Sequence, residues 1–268
     1  MAHQLRKVCK YFTTSTNQEN GIVTCLLKHP KLNVITLEFI QKLQDFLSDL
    51  ECHKPNGLIF VSEFDKKWFS AGFDLKDLYQ PCEGRLTQLF GSMLDFSVQI
   101  RSTSFPTVTI INGDALGGGC IIPFGCEHRI MLKDTNIGLT ELNFGFGVLE
   151  WQWLWLTEII GQRAAEDAVL RAKLFSSEEA IRVGLVHEIV SSKEEGVDRA
   201  VEFINEIAKI NSRGRTVTKL SLKSNYLKKI HENRTHYITE LINQARSSDV
   251  QNSLNKFFKV KSKDNTNF

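Results

Sequence analysis

Three strand-like segments constrain the fold of this chain more than any other feature. They span residues 57–62 (GLIFVS), 107–112 (TVTIIN) and 128–132 (HRIML). Each has the length of a β-strand, and the first is a continuous apolar run without the apolar–polar alternation of a strand with one face in water. Such segments are typical of strands that are covered on both faces, as in a parallel sheet. The rest of the chain must therefore supply that cover.

A helical pattern lies between the strand-like segments. Thr36 can cap a helix whose apolar residues recur on one face, namely Leu37, Ile40, Leu43, Phe46, Leu47 and Leu50. Strands that alternate with helices predict an α/β architecture.

The second half of the chain is mostly helical in pattern. After Trp151 the strand signals become sparse, and Ser176 with Glu179 forms a capping box before another helix. We therefore place a boundary near residue 195. It separates an α/β core of residues 1–195 from a helical region of residues 196–268.

The composition excludes several classes of protein. Apolar residues make up 42% of the 268, enough for a sizeable core. No apolar run reaches the roughly 18–20 residues that a membrane span needs. The six cysteines form no C-x-x-C pair, so a zinc site is not expected and the thiols are expected to be reduced. The net charge of +2 is too small to indicate a nucleic-acid partner.

One stretch is strongly basic in spite of the balanced total. Only Glu232 opposes its eight cationic residues, which are Lys209, Arg213, Arg215, Lys219, Lys223, Lys228, Lys229 and Arg234. We interpret it as a solvated helical face. The alternative is attraction of a polyphosphate or of RNA, but the stretch lacks the interleaved aromatic residues that stack on bases.

Two turns that follow buried strands could hold an oxyanion. In 115–120 (ALGGGC) three glycines let a ligand approach the backbone, and the free N–H groups of a helix start favour negative charge. The segment lacks the ending of a phosphate-binding Walker loop. In 69–75 (FSAGFDL) a second N–H could point at the same oxygen. Taken singly, either segment could instead be an ordinary tight turn or helix start.

Two glutamates lie among apolar and aromatic neighbours. Glu141 stands in 137–145 (IGLTELNFG), and Glu150 precedes Trp151. Burial raises the pKa of a carboxyl group and makes it a better proton carrier near neutral pH. Either glutamate could instead be a solvated carboxylate. Phe144 and Trp151 could line an apolar pocket or pack in the core.

The chain resembles the enoyl-CoA hydratase/isomerase (crotonase) superfamily over nearly its whole length. Within it, the greatest similarity is to the mitochondrial Δ3,Δ2-enoyl-CoA isomerases. The resemblance is carried, in order, by 30–33 (PKLN), 69–75 (FSAGFDL), 111–120 (INGDALGGGC), 137–141 (IGLTE), 161–166 (GQRAAE) and 179–186 (EAIRVGLV).

This resemblance implies a fold and a site. The fold is an α/β spiral of ββα units with a C-terminal helical trimerisation region, hence a homotrimer. The substrate is an acyl-CoA whose thioester oxygen binds the N–H groups of Phe73 and Gly118. By the same match, the adenine and phosphates of coenzyme A lie near Ala71, Asp74 and Lys76. Gly117 of the glycine-rich turn and the aromatic Phe144 and Trp151 are the further candidates for contact with the substrate. No separate cofactor is implied, because coenzyme A is part of the substrate.

The resemblance also implies the reaction. Hydratases of the superfamily carry a glutamate directly after the G-G-G-C segment, where this chain has Ile121. Glu141 matches their second glutamate, and one glutamate suffices to move a double bond from C3 to C2. Glu150 is the rival base, because another branch of isomerases carries its glutamate nearby. The alternatives are hydration, thioester hydrolysis, or a non-catalytic scaffold that binds coenzyme A or RNA.

The location is less constrained by sequence. The family implies the mitochondrial matrix, and residues 1–17 hold Arg6, Lys7 and Lys10 without an acid, a weak match to a transit peptide. The alternative for these residues is a surface strand and turn, and for the protein the cytosol. The final Asn267-Phe268 does not match a peroxisomal signal.

Overall fold

The three strand-like segments form the centre of a six-stranded sheet in a computed structural model that describes residues 9–64 and 67–264. The sheet order is β1-β2-β3-β5-β7-β10, and every neighbouring pair is parallel except β1 and β2. Its strands are β1 (Phe12–Thr16), β2 (Ile22–Leu27), β3 (Gly57–Ser62), β5 (Thr107–Ile111), β7 (His128–Leu132) and β10 (Glu188–Val190). Every residue of β3, β5 and β7 is buried, as their sequences predict.

A second, smaller sheet runs beside the first in the order β4-β6-β8-β9. Its strands are β4 (Trp68–Ser70), β6 (Asp114–Leu116), β8 (Asn136–Gly138) and β9 (Phe175–Ser176). The strands β3, β5 and β7 of the large sheet are each followed by one of these short strands and then by a helix. The α/β spiral of ββα units is therefore confirmed.

Ten α-helices and two 3-10 turns complete the part of the chain that the structure describes. The 3-10 turns span Gly117–Cys120 and Glu141–Phe144. The helices are α1 (Leu37–His53), α2 (Leu75–Leu78), α3 (Glu83–Arg101), α4 (Ile121–Gly125), α5 (Glu150–Ile160), α6 (Gln162–Leu170), α7 (Ser177–Arg182), α8 (Lys193–Ile207), α9 (Ser212–Arg246) and α10 (Ser248–Asp264). Within the described residues, none of these helices combines the length and apolar character needed to cross a bilayer.

The two helix N-caps predicted from the sequence, at Thr36 and Ser176, are formed in the structure. The Thr36 hydroxyl accepts a hydrogen bond from the Phe39 N–H at 3.2 Å and starts α1. At the start of α7, Ser176 and Glu179 form the reciprocal capping box. Each cap satisfies an N–H group that the first helical turn leaves without a partner.

Helix α8 packs on the large sheet. Ala200 and Ile204 are buried against Ile59 of β3 and Ile110 of β5. A Cβ on Gly57 would lie 2.6 Å from the Ile204 Cγ2, so the helix lies directly on the strand. The helical region proposed for residues 196–268 thus contributes to the cover of the sheet, and its boundary near 195 stays a prediction.

Seven of the eight cations of the basic stretch lie on α9, and five of them pair with acids of the α/β core. The predicted solvated face is wrong for Lys219 and Arg215, whose side chains are only 8% and 14% exposed. The pairs are Arg215–Glu127, Lys219–Glu127, Lys223–Glu158, Lys229–Glu150 and Arg234–Asp95. These pairs connect the long helix to the α/β core.

Candidate active site

The two turns predicted to hold an oxyanion lie side by side. A Cβ on Gly72 would be 2.8 Å from the Leu116 carbonyl oxygen and 3.8 Å from the Gly118 nitrogen. A Cβ on Gly118 would be 2.7 Å from Cε2 of the Phe73 ring. Gly72 and Gly117 have φ values of 86° and 51°, which a residue with a side chain rarely adopts. The glycines therefore allow both the backbone geometry and the close contact.

Two N–H groups at this contact are free to donate. The Ile35 N–H donates to the Gly72 carbonyl at 2.7 Å and the Asp74 N–H donates to the Ile35 carbonyl at 3.1 Å, so the Phe73 N–H between them points away from this bridge. Gly118 is the second residue of a 3-10 turn, where the N–H has no partner within the turn. Among the described residues, neither N–H has a hydrogen-bond partner.

A cavity of about 350 Å³ opens over these donors. Its lining combines both turns with the Glu141 segment, helix α3, and the C-terminal helices α9 and α10. Of the residues predicted from sequence, six line it: Ala71, Phe73, Gly117, Gly118, Glu141 and Phe144. The remainder of the lining is mainly apolar, as an acyl group requires.

Glu141 begins the second 3-10 turn and lies against the first. Its Oε1 would be 3.5 Å from a Cβ on Gly117, and it accepts a hydrogen bond from the Gln152 Nε2 at 3.3 Å. The other oxygen, Oε2, is inaccessible to solvent and has no partner among the described residues. Burial raises the pKa of Glu141 to about 7, against backbone hydrogen bonds that act to lower it. The carboxyl group is therefore poised to exchange a proton near neutral pH.

Glu150 lies outside this cavity, at the start of α5. Its Oε1 pairs with the Lys229 ammonium, and its Oε2 accepts a hydrogen bond from the Tyr237 hydroxyl at 2.6 Å. These two partners lower its pKa, Lys229 more than Tyr237. Both oxygens are thus occupied and the carboxylate is held in its charged form. Its suggested role as rival base stays a prediction that this geometry does not favour.

Trp151 packs in the core and does not line the cavity. It is 2% exposed, and its ring meets that of Trp155 edge-on at 5.3 Å. Phe144, by contrast, faces the cavity and lies edge-on to Phe257 of α10 at 5.7 Å. Both aromatic residues were predicted to contact the acyl group. Of the two, only Phe144 lies where it can do so.

Asp74 and Lys76 line a neighbouring cleft of about 440 Å³. Asp74 caps α2 by accepting from the Lys76 N–H at 3.1 Å, and its carboxylate pairs with Lys31 at 3.0 Å. The cleft has a small excess of positive charge, because Lys10, Lys31, Lys76 and Arg85 line it together with the carboxylates Glu38, Asp74 and Asp77. Since Phe73 and Leu75 line the cavity while Asp74 and Lys76 line the cleft, a ligand that carries phosphates could extend from one to the other.

Ile121 occupies the position where a hydratase would carry its other glutamate. It is the first residue of α4, and its side chain is 2% exposed in the core. Among the described residues that line the cavity, Glu141 is the only carboxylate. The described part of the chain also contains no group of three His, Cys, Asp or Glu residues that could hold a metal ion.

Most of the other lining residues were not predicted from sequence, and three of them lie on the helices α5, α9 and α10. Gln152 contacts Glu141, and Leu241 and Phe257 reach the cavity from α9 and α10. A polar residue two positions after the start of an otherwise apolar helix is a weak signal for Gln152. The other two lie on helices far along the chain, where no local pattern identifies the cavity as their neighbour.

This fold is that of a crotonase-type enzyme, and its cavity combines two backbone N–H donors with a buried carboxyl group. The chain belongs to the enoyl-CoA hydratase/isomerase family, whose model matches residues 17–265.

Relatives include isomerases and hydratases. The chain is 33% identical to the mitochondrial enoyl-CoA delta isomerase 1 of Rattus norvegicus over 175 residues, 64% of this chain and 60% of the relative. The Homo sapiens protein of that name is 27% identical over 240 residues, 88% of this chain and 79% of the relative. A short-chain-enoyl-CoA hydratase of Clostridium acetobutylicum is 25% identical over 197 residues, 71% and 73% of the two chains.

Solved structures agree with this assignment of the fold. The human mitochondrial Δ3-Δ2-enoyl-CoA isomerase superposes with a TM-score of 0.89 at 25% identity, covering 94% of this chain and 98% of that chain. An enoyl-CoA hydratase from Bacillus halodurans superposes with a TM-score of 0.82 at 24% identity, covering 92% and 99%.

Proposed function

We propose that this enzyme converts a 3-enoyl-CoA into the trans-2-enoyl-CoA, as a step of fatty-acid β-oxidation. The observation that carries the proposal is a single carboxylate, Glu141, in a cavity that also holds the free N–H groups of Phe73 and Gly118. Related proteins named as enoyl-CoA isomerases support it. The acyl-CoA is the substrate, and the proposal includes no other cofactor.

The reaction needs one proton carrier and one oxyanion site. The thioester oxygen accepts hydrogen bonds from Phe73 and Gly118, which makes the C2 proton more acidic. Glu141 takes that proton, and the electrons of the C2–H bond delocalise over a dienolate whose oxygen the two donors stabilise. Glu141 then returns the proton at C4, so the double bond lies between C2 and C3. Loss of one such donor typically costs about 2.7–4 kcal/mol of barrier.

The coenzyme A portion is proposed to extend from Ala71 into the cleft that Asp74 and Lys76 line. The ammonium groups of Lys10, Lys31 and Lys76 can attract its phosphates there. A homotrimer is also part of the proposal, and so is location in the mitochondrial matrix. The names of the isomerase relatives, which include the word mitochondrial, support the location. Arg6, Lys7 and Asn267-Phe268, which bear on the targeting predictions, lie outside the described residues.

The first experiment follows the absorbance of the conjugated 2-enoyl thioester when purified protein is mixed with a 3-enoyl-CoA. We expect the signal to rise with the wild type and to be lost in Glu141→Gln, which should still bind substrate. The matched control is Glu150→Gln, which removes a carboxylate outside the cavity and should retain activity. Full activity in Glu141→Gln, or loss in Glu150→Gln with the fold intact, would contradict the assignment.

Hydration or thioester hydrolysis is the alternative, and a hydratase is among the relatives. Hydration in this superfamily uses two groups to hold and deprotonate water, and Ile121 replaces one of them. Product analysis in heavy-oxygen water separates the reactions, because isomerisation incorporates no solvent oxygen. Incorporation of the label at the rate of turnover would favour the alternative.

A non-catalytic scaffold that binds coenzyme A or RNA is the third reading. The basic stretch suggests such a scaffold, because it could attract a polyanion. Five of its cations, however, pair with acids of the α/β core. That pairing reduces the charge available to a polyanion. Tight RNA binding without turnover of any enoyl-CoA would support the scaffold instead.

A further inference from the structure

We propose that Gln152 is a positioning residue, which holds the Glu141 carboxylate in the cavity and favours its charged, proton-accepting form. This inference rests on the proposed isomerase function. Gln152 is 5% exposed and lines the same cavity as Glu141.

The backbone fixes which way the Gln152 amide points. Its Oε1 accepts a hydrogen bond from the Leu149 N–H at 3.1 Å, at the start of α5. A backbone N–H can only donate, so the acceptor end of the amide must face Leu149. The Nε2 end is then directed at the Oε1 of Glu141, 3.3 Å away. The contact is thus an N–H donated to a carboxylate, and not the reverse.

Such a donor distinguishes the two states of the carboxyl group. An N–H group stabilises an ionised oxygen more strongly than a protonated one. The distance of 3.3 Å is at the long end of the range for this type of bond. By adding a side-chain donor to the backbone N–H groups of Thr140 and Glu141, Gln152 offsets part of the burial that disfavours the charge. Without it, Glu141 would hold its proton to a higher pH.

Other ionisable groups around Glu141 do not replace this donor. Cys120 lies close enough for its thiol to interact electrostatically with Glu141, but burial raises the pKa of Cys120 well above its usual value and keeps it neutral. On α5, Glu150 is engaged by Lys229 and Tyr237. From α9 and α10 the cavity receives uncharged side chains.

Two substitutions separate the donor from the helix cap. Gln152→Glu keeps an oxygen that can accept from Leu149 but removes the N–H donor, whereas Gln152→Met removes both. In each, we expect the acid limb of the pH–rate profile to move up by about one pH unit or more, further in Gln152→Glu because of like charge. Turnover at pH 7 should fall about fivefold or more and largely recover at pH 9.

The matched control is Thr157→Val on the same helix. The Thr157 hydroxyl bonds only to the backbone of its own helix, at the Trp153 carbonyl, among the described contacts. This variant should leave the pH midpoint unchanged. If Gln152 merely capped α5, Gln152→Met would lower the melting temperature while both Gln152 variants kept the wild-type midpoint, and the proposal would be overturned.

A titration without substrate distinguishes failure of this inference from failure of the proposed function. Difference infrared spectra of wild type against Glu141→Gln follow the protonated carboxyl group of Glu141. The same measurement is made in each Gln152 variant, with and without Glu141→Gln. The pH midpoint of the Glu141 titration should be higher there than in the wild type. A shifted midpoint in a protein that does not isomerise 3-enoyl-CoA would overturn the function and leave Gln152 its role. An unshifted midpoint overturns the role of Gln152.

Discussion

At the scale of single residues, the chemistry of the site depends on how little contact Glu141 has with water. The side chain has one polar contact beyond its own segment, from Gln152. Its second oxygen is buried without a partner among the described residues. A carboxyl group in such surroundings resists ionisation, which is the property that a group exchanging protons with carbon at neutral pH needs. Glu150, with two strong partners, has the opposite property.

The first prediction at this scale concerns pH. Because Glu141 must be ionised to accept the C2 proton, kcat/KM should rise with pH through about 7. The measurement is the pH–rate profile for a 3-enoyl-CoA. A limb near pH 4.5, the ordinary value for a glutamate, would show that burial does not control the active carboxyl group.

The raised pKa of Glu141 leads to a prediction about how the free energy of unfolding depends on pH. Its folded pKa of about 7 exceeds the ordinary 4.5, so the folded state retains a proton that the unfolded state has released between those values. The resulting stabilisation is present below pH 4.5 and is lost as pH rises through 7. At pH 8, Glu141→Gln should therefore raise the free energy of unfolding by about 2–3 kcal/mol. Denaturant titrations at pH 4.5 and 8 test this, and an equal effect at both would contradict it.

A further prediction concerns the glycine turn. In Gly118→Ala, the new Cβ would lie 2.7 Å from the Phe73 ring and force the two donor-bearing turns apart. We expect kcat to fall about 100-fold, comparable to loss of an oxyanion donor. Gly84→Ala is the control, because a Cβ there meets nothing within 4 Å. Similar activity in both variants would exclude the turn as the oxyanion site.

At the scale of elements, α9 is attached to the core through buried charge as well as apolar contact. Lys219 donates to the Thr103 carbonyl at 2.9 Å and pairs with Glu127 at 2.9 Å, while Arg215 pairs with the same carboxylate. Burial lowers the pKa of Lys219, and Glu127 acts against that effect. The helix therefore relies on the correct pairing of groups that cannot easily be hydrated.

This arrangement makes a stability prediction. Lys219→Met leaves Glu127 with one partner fewer in a poorly hydrated position, so the free energy of unfolding should fall by about 2–4 kcal/mol. Lys228→Met is the matched control, because Lys228 is 71% exposed and 3.8 Å from Glu232, and should change it by under about 0.5 kcal/mol. Denaturant titration of both variants gives the comparison. Equal losses would mean that burial of the pair is unimportant.

At the scale of the whole molecule, the cavity is closed by the C-terminal helices. Leu241 of α9 and Phe257 of α10 join lining residues that lie between positions 32 and 152 of the chain. The α/β core supplies the donors and the carboxylate, and the helical region supplies part of the wall. Under the proposed function, both regions together would set the preference for acyl-chain length.

The prediction at this scale is a change in specificity. Phe257→Ala removes a ring from the wall and should raise kcat/KM for longer 3-enoyl-CoA substrates relative to shorter ones, by up to about fourfold per additional buried methylene. Val260→Ala on the same helix is the control, since Val260 is 61% exposed. A uniform change for all chain lengths would show that Phe257 does not limit the acyl chain.

The sequence by itself determined the parts of this protein that depend on neighbours along the chain. Short strand-like segments identify β3, β5 and β7. These strands are covered on both faces, so neither face needs polar side chains for contact with solvent. The caps at Thr36 and Ser176 depend on residues three positions away. The apolar surroundings of Glu141 were visible in its own segment. The family motifs indicated the spiral of ββα units.

Only the tertiary structure decided which groups meet. The strands of the small sheet are two or three residues long, too short to show a period, and they exist because they pair with each other. The residues next to Glu150 and Glu141 in the sequence do not distinguish the two glutamates. The structure does, because Lys229 and Tyr237 of α9 contact the carboxylate of Glu150. The contact between Gln152 and Glu141 and the closure of the cavity by Phe257 have the same origin. Burial and pairing of polar groups are set by distant segments, so local sequence patterns do not reveal them.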